Sequence, residues 1–221
     1  MNCSLLKKTK NILRYIKAFC VRISKYPARK KLKNRSFSII SNNCTGGYIY
    51  QHYGIEYKSP TAGLLFGTAE DYVKICKNPH KYFEKDPVVI PRESCKHYDV
   101  MKNMNHWGQY PVGVVEDIEI YFMHYHDQEE AISKWKKRCK RINYNNLFFL
   151  LTENETCTEK DIREFCSLPI KNKVCLTYNK YDIPGTIYSE EVHKLEGHPW
   201  KPEIVYSILD WTSLLNGDLK N

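Results

Sequence analysis

The chain has 221 residues, enough for one domain of ordinary size plus an extension, and its 42% hydrophobic content excludes global disorder. Its formal charge of +9 is gathered at one end: residues 1–36 hold twelve Lys or Arg and no acid, leaving 22 basic against 25 acidic residues elsewhere. A mildly acidic body argues against a nucleic-acid partner, so whatever meets the basic charge meets the first segment.

No stretch is long and apolar enough for a membrane-spanning helix. The nine cysteines are odd in number, irregularly spaced and free of any C-x-x-C pair. They read as buried thiols of a reducing, cytoplasmic compartment, not as a disulfide framework or a zinc ribbon. Within the basic segment, Leu5, Leu6, Ile12, Leu13, Ile16, Phe19, Cys20 and Ile23 recur at helical spacing with Lys and Arg between them, and Pro27 stops the run. Residues 1–35 are therefore expected to form a basic amphipathic arm. Its residues 3–26 suit an anionic membrane surface, which would hold the protein peripherally on the inner membrane face. Packing of the same apolar stripe on the protein's own domain is the other expectation. The arm has no uncharged core, so it does not read as a signal peptide.

Residues 36–221 read as a single α/β domain. Phe37–Ile40 is an apolar run expected as a strand, and Ser41-Asn-Asn-Cys-Thr-Gly-Gly47 leads into a short helix that Gly54 stops. A second strand is expected at Gly63–Phe66. Thr68 and Asp71 have capping-box spacing at the head of a helix that reaches Lys77. Residues 91–112 read as a long polar loop, a kind that is uncommon in compact domains and often functional. Val114 and Val115 precede the longest expected strand, Asp117–Tyr125, on which Ile118, Ile120, Phe122 and His124 share a face. A helix over about 127–142, a strand at Leu147–Leu151, a helix capped by Thr158 and a strand at Val174–Tyr178 follow. An irregular strand or hairpin from Gly185 and a short helix near Trp211–Leu215 end the chain. Strands alternating with helices point to βαβ units around a mainly parallel or mixed sheet.

Ligands of open α/β sheets bind beyond the carboxyl ends of the strands, and that rule selects the candidates. After the first strand come Asn42, Asn43, Cys44, Gly46 and Gly47. The glycines permit close approach of backbone to a ligand, and the helix start offers N–H groups and a positive dipole end to an anion. Equally, an Asn caps the helix and the glycines make a tight turn. Cys44 lies where a helix N-terminus lowers a thiol pKa, with His124 as its base if the two strands are neighbours. His124 and His126 have metal-ligand spacing, but Cys95 and His97 are the only further ligands in prospect, so no metal is expected. Glu153, Asn179 and Asp182 also fall at strand ends. Glu153-Asn-Glu155 and Asp117-Ile-Glu119 approach the acidic pair of metal-dependent sugar transferases only weakly. Trp135, Arg138 and Arg141 share a helical neighbourhood in which an Arg can grip a phosphate or carboxylate.

Ser41–Gly47, Tyr57-Lys-Ser-Pro-Thr61, Tyr110-Pro-Val-Gly113, His124-Tyr125 and Trp135-x-x-Arg138-x-x-Arg141-Ile-Asn143 together resemble a bacterial family catalogued as a domain of unknown function, number 1919, and often labelled exopolysaccharide biosynthesis protein. The match spans roughly residues 36–216. The resemblance implies a three-layer α/β/α fold and a setting in capsule or exopolysaccharide assembly. It implies no mechanism and no cofactor, so the cofactor is unknown.

The leading expectation is a transferase of surface-polysaccharide biosynthesis that takes an activated sugar or another phosphate-bearing small molecule at the Asn-Asn-Cys-Thr-Gly-Gly loop. His124 would be its base, and Tyr110, Arg138 and Arg141 would position substrate. The alternatives are a thiol acyltransferase or hydrolase built on Cys44 and His124, and a non-catalytic adaptor that binds glycan or partner machinery.

Overall fold

Three of the apolar runs lack polar alternation, the pattern of strands covered on both faces. They form the centre of a parallel sheet in the computed structural model of the protein, which describes residues 23–102, 110–125, 127–195 and 200–218. Strand β1 (Ser38–Ser41) pairs with β6 (Leu147–Thr152), β6 with β7 (Lys173–Thr177), and β7 with β8 (Thr186–Tyr188), all in parallel. Alternate residues feed two separate cores. Ile39, Phe148, Leu150 and Leu176 join one, while Ile40, Phe149, Leu151 and Cys175 join the other. Helices α2 (Thr45–Tyr53), α9 (Pro202–Ser207) and α10 (Trp211–Asn216) cover the first face; α3 (Ala69–Lys77) and α7 (Glu159–Ser167) cover the second. This is the α/β fold expected, with both faces of the parallel sheet covered.

The remaining strands make the β-structure mixed, within the expectation of a mainly parallel or mixed sheet. β2 (Leu65–Phe66), β3 (Val88–Ile90), β4 (Val112–Val115) and β5 (Ile118–Tyr121) form a second, antiparallel sheet in the order β2-β5-β4-β3. The long strand expected at Asp117–Tyr125 is only β5. Glu116 takes φ 55°, the left-handed geometry of a tight hairpin turn, and so folds β4 back on β5. The side chains of Ile118, Ile120 and Phe122 still enter one core, which this sheet shares with the parallel one. The two sheets meet at one backbone bond, Phe66 N–H to Asn42 O at 3.3 Å.

Residues expected as one long loop carry a 3-10 turn at Arg92–Ser94 and α5 (Tyr98–Met101), and β3 precedes them. Two buried acids anchor that segment. Glu119 accepts the N–H groups of Lys96 and His97 and the Tyr121 hydroxyl. Asp71 accepts His97 Nε2 at 3.1 Å, the Glu119 N–H at 3.2 Å and Lys74 Nζ at 2.9 Å. Asp71 is therefore not free to complete a capping box. Thr68 caps α3 through its own oxygen alone, whereas Thr158 and Asp161 form the full reciprocal box on α7. Between these elements lie α4 (Pro79–Phe83), α6 (Gln128–Cys139) and α8 (Glu190–Lys194).

Most of the basic arm lies outside the described residues. Its end, α1 (Tyr26–Lys30), docks beside α2, where Arg29 Nη1 donates to Gly54 O at 3.1 Å. Among the described residues no helix is long and apolar enough to cross a membrane.

Candidate functional site

Where the parallel sheet, the antiparallel sheet and α6 converge, a cleft opens in two chambers. The inner one encloses about 230 Å³, and its wall includes Cys44, Gly47, Tyr48, His124 and Tyr125. The outer one is an open trough of about 330 Å³ between residues 55–57 and the exposed side of α6. Tyr57, Lys134 and Arg138 belong to both. Cys44 and His124, expected at neighbouring strand ends, thus face one cavity. They reach it from different sheets, because His124 follows an antiparallel strand.

The loop after β1 does not present the anion site expected of it. The first three amides of α2 are already used within the loop. Thr45 N–H donates to Asn43 Oδ1 at 3.0 Å, Gly46 N–H to Ser41 Oγ at 3.2 Å, and Gly47 N–H to Cys44 O at 2.9 Å. The Asn42 side chain is buried and clasps Thr152, accepting from its N–H and donating to its C=O, each at 2.9 Å. Asn43 Nδ2 donates to Thr152 Oγ1 at 2.6 Å. Both asparagines turn toward β6, and neither lines the cleft.

The two glycines have different reasons. A Cβ on Gly46 would stand 2.5 Å from Ser41 Oγ and 3.1 Å from Ile39 Cγ2, so packing of α2 on β1 demands glycine. A Cβ on Gly47 would meet only Ala62, at 3.7 Å, an ordinary contact. Glycine inside a helix costs about 0.5–1 kcal/mol relative to alanine. Packing does not explain that loss at Gly47, which forms part of the inner wall.

Burial pushes the Cys44 thiol up to about 11, overriding the hydrogen bonds that favour its charged form. The activated thiolate expected at the helix start is thus disfavoured. His124 stands at φ 69°, left-handed for a non-glycine residue. Its ring has no hydrogen-bond partner among the described residues, and Tyr110 meets it edge-on with centroids 6.1 Å apart. Tyr110 itself lies outside the inner wall. His126 falls outside the described residues.

Arg138 is the best-placed charge. Its Nη1 donates to Ala62 O and to Tyr125 Oη, the latter at 2.6 Å, and its guanidinium stacks 4.8 Å from the Tyr57 ring centroid. Nε and Nη2 have no partner among the described residues. Arg141 is bound more fully, by Glu56 at 2.7 Å and Tyr57 O at 3.2 Å. Lys134 pairs with Glu130 at 2.8 Å, while Lys137 has no carboxylate partner among the described residues. Trp135 is buried and ties α6 down through Nε1 to Lys85 O at 2.9 Å.

The acids at strand ends are structural. Glu153 is buried and accepts the N–H groups of Tyr178 and Asn179, the Asn179 amide and the Tyr181 hydroxyl. Asp117 pairs with Lys81 and Tyr82, hydrogen bonds that hold its carboxyl down at about 2. Among the described residues no cluster of His, Cys, Asp or Glu is arranged to hold a metal. Sequence reasoning named Tyr57 and Tyr125 only within the family motifs, without a role, and missed Tyr48, Lys134 and Lys137 as site residues. The i, i+3, i+4 spacing of Lys134, Lys137 and Arg138 on one helix was the signal that could have found the basic trough.

An α/β protein with a basic, two-chambered cleft is thus defined. The chain matches the family described as Domain of unknown function (DUF1919) over residues 15–200, and it belongs to that family. It is also 34% identical over 160 residues to an uncharacterized protein of Haemophilus influenzae, covering 72% of this chain and 70% of that one. Neither match carries an activity.

Two outcomes follow from the loop. Gly46→Ala lowers stability by about 1–3 kcal/mol through overpacking, whereas Gly47→Ala raises it by about 0.5–1 kcal/mol; urea unfolding measures both. Iodoacetamide labels Cys44 at pH 7 about 100-fold more slowly than free cysteine, given the higher pKa and the burial. The rate climbs with pH toward 11, as peptide mapping of the alkylated site will show.

Proposed function

We propose that the protein is a transferase of surface-polysaccharide assembly whose phosphate-bearing donor binds across the cleft. The observation that carries this reading is the half-occupied guanidinium of Arg138. One nitrogen is spent on the protein, and two N–H-bearing nitrogens are left at the junction of the chambers. A planar fork held on one side suits two oxygens of a phosphate. Lys137 adds an unpaired charge beside it, and Glu56, the one acid of the trough, is already paired with Arg141. The donor anion is thus assigned to α6, not to the asparagines after β1. The loop supplies the uncharged inner wall through Cys44 and Gly47. His124 serves as general base, with an imidazole free of hydrogen bonds to the described residues. The polysaccharide setting rests on the family resemblance.

The reading extends to an anionic membrane surface. Basic side chains are stitched along one path from the docked arm to the trough. Arg35 Nη2 donates to Arg29 O, Lys58 Nζ to Arg35 O, and Arg141 Nη1 to Tyr57 O. Arg35 and Lys58 bind carbonyls, which leave their charge in place, whereas Arg141 is also paired with Glu56. A peripheral position on the inner membrane face would bring this side of the domain to lipid-linked acceptors.

Calorimetry with inorganic pyrophosphate and nucleotide sugars tests the cleft. Pyrophosphate binds, and Arg138→Gln or Lys137→Ala weakens it at least about tenfold, roughly 1.4 kcal/mol. His124→Ala abolishes transfer while sparing binding. Absence of heat with every ligand of this kind sinks the proposal. Separately, the full chain co-sediments with phosphatidylglycerol vesicles and not with phosphatidylcholine vesicles. Replacing Lys7, Lys8 and Lys10 by Gln lowers that binding about 100-fold, at roughly 1 kcal/mol per charge.

A further inference from the structure

Charge is distributed unevenly between the two chambers. Both fixed cations of the inner chamber, Lys134 and Arg138, stand on the wall it shares with the trough. Beyond that wall the described residues of the inner lining include no Lys, Arg, Asp or Glu. Cys44 is a neutral thiol there, since burial disfavours its anion. What remains is aromatic and hydrogen-bonding. The Tyr48 hydroxyl and the His124 ring nitrogens have no hydrogen-bond partners among the described residues, and the Tyr125 hydroxyl is held by Arg138. A ligand that fills this space carries its anion at the mouth and an uncharged polar group inside.

Size narrows the group further. At roughly 30 Å³ per water, the 230 Å³ chamber holds about seven or eight waters, room for one sugar ring but not for a sugar with a nucleoside. Gly47 supplies the independent observation. Its missing side chain has no packing reason, and an added methyl would stand beside Ala62, another part of the inner wall.

We infer that the inner chamber is a subsite for a single neutral hexose. The ring lies against the backbone at Gly47, and its 1-phosphate is gripped at the junction by Arg138, with the rest of the donor running along the trough. This deepens the proposed function and rests on its claim that the cleft takes a phosphate. Nucleoside diphosphate hexoses and polyprenyl diphosphate hexoses share the hexosyl phosphate, so the carrier is left to the test.

The test compares inorganic phosphate with a panel of hexose 1-phosphates (glucose, galactose, mannose and N-acetylglucosamine) by calorimetry on the full chain. At least one hexose 1-phosphate should bind about tenfold more tightly than phosphate, a difference of roughly 1.4 kcal/mol. Gly47→Ala should erase that advantage while keeping phosphate affinity and without loss of thermal stability. Tyr48→Phe, which alters no packing volume, should reduce it. If phosphate binds through Arg138 but no hexose 1-phosphate improves on it, or if Gly47→Ala leaves the advantage intact, the subsite is overturned and the anion site stands. If phosphate itself does not bind, the underlying reading falls as well. Displacement of the bound hexose 1-phosphate by UDP-glucose or by a detergent-solubilised prenyl diphosphate hexose supports the subsite and names its carrier. Displacement by neither overturns it.

Discussion

Asn42 is the joint on which the molecule is assembled. Its N–H donates to Leu150 O at 3.3 Å and continues the β1–β6 ladder. Its C=O accepts from Phe66 and draws the antiparallel sheet against the parallel one. Its side chain clasps Thr152 with a donor and an acceptor. All of this occurs in a buried position, where an unmade hydrogen bond costs about 1–3 kcal/mol. The residue therefore ties the two sheets together where the loop after β1 begins, next to Cys44 and Gly47 of the inner wall.

The parallel half of the fold was legible in the sequence because its strands are apolar on both faces. Ile39 and Ile40, or Leu150 and Leu151, feed different cores, so the runs carry no polar interruption. The antiparallel half was not legible at the same level. Glu116 and Asp117 contain no glycine or asparagine to mark a hairpin turn, so the segment reads as Val114 and Val115 preceding one strand over Asp117–Tyr125. β3 is three residues long, too short for its alternation to register. The segment after it is held by Asp71 and Glu119, contacts that join residues far apart in the chain and leave no local pattern.

The site was legible in its members more than in their roles. Cys44, Gly47, His124 and Arg138 do line one cleft. What sequence could not show is which polar groups the fold consumes. Asn43 looks available until Thr152 takes its amide, and the dipole end of α2 looks open until Ser41, Asn43 and Cys44 fill it. The same holds for the acids. Glu153 sits at a strand end where a catalytic carboxylate would, yet it is saturated with donors from backbone and side chains, as are the buried Asp71 and Glu119. A carboxylate in that state serves as a staple. Consuming the acids in this way leaves the cleft with cations at its mouth and no opposing charge in its inner chamber.

The backbone around that chamber carries its own signature. Gly63 at φ 89° and His124 at φ 69° are both left-handed, and Gly63 lies near Met123 O and the Tyr125 ring, so the two residues close one wall together. Glycine accepts this geometry without strain, but an imidazole-bearing residue gives up about 1–2 kcal/mol to hold it. The neighbours make the conformation obligatory. Phe122 is locked in the core on one side, and Tyr125 is held through its hydroxyl by Arg138 and Ala62 on the other. Between those two anchors the chain has two residues, Met123 and His124, in which to leave the sheet and turn, and the turn sets His124 at the rim of the cavity with its side chain still exposed. Arg138 is thus both a prospective ligand-binding group and one of the two restraints that keep the histidine in place. A ligand drawing on the free side of its guanidinium would feel the same rigid support that sets the base.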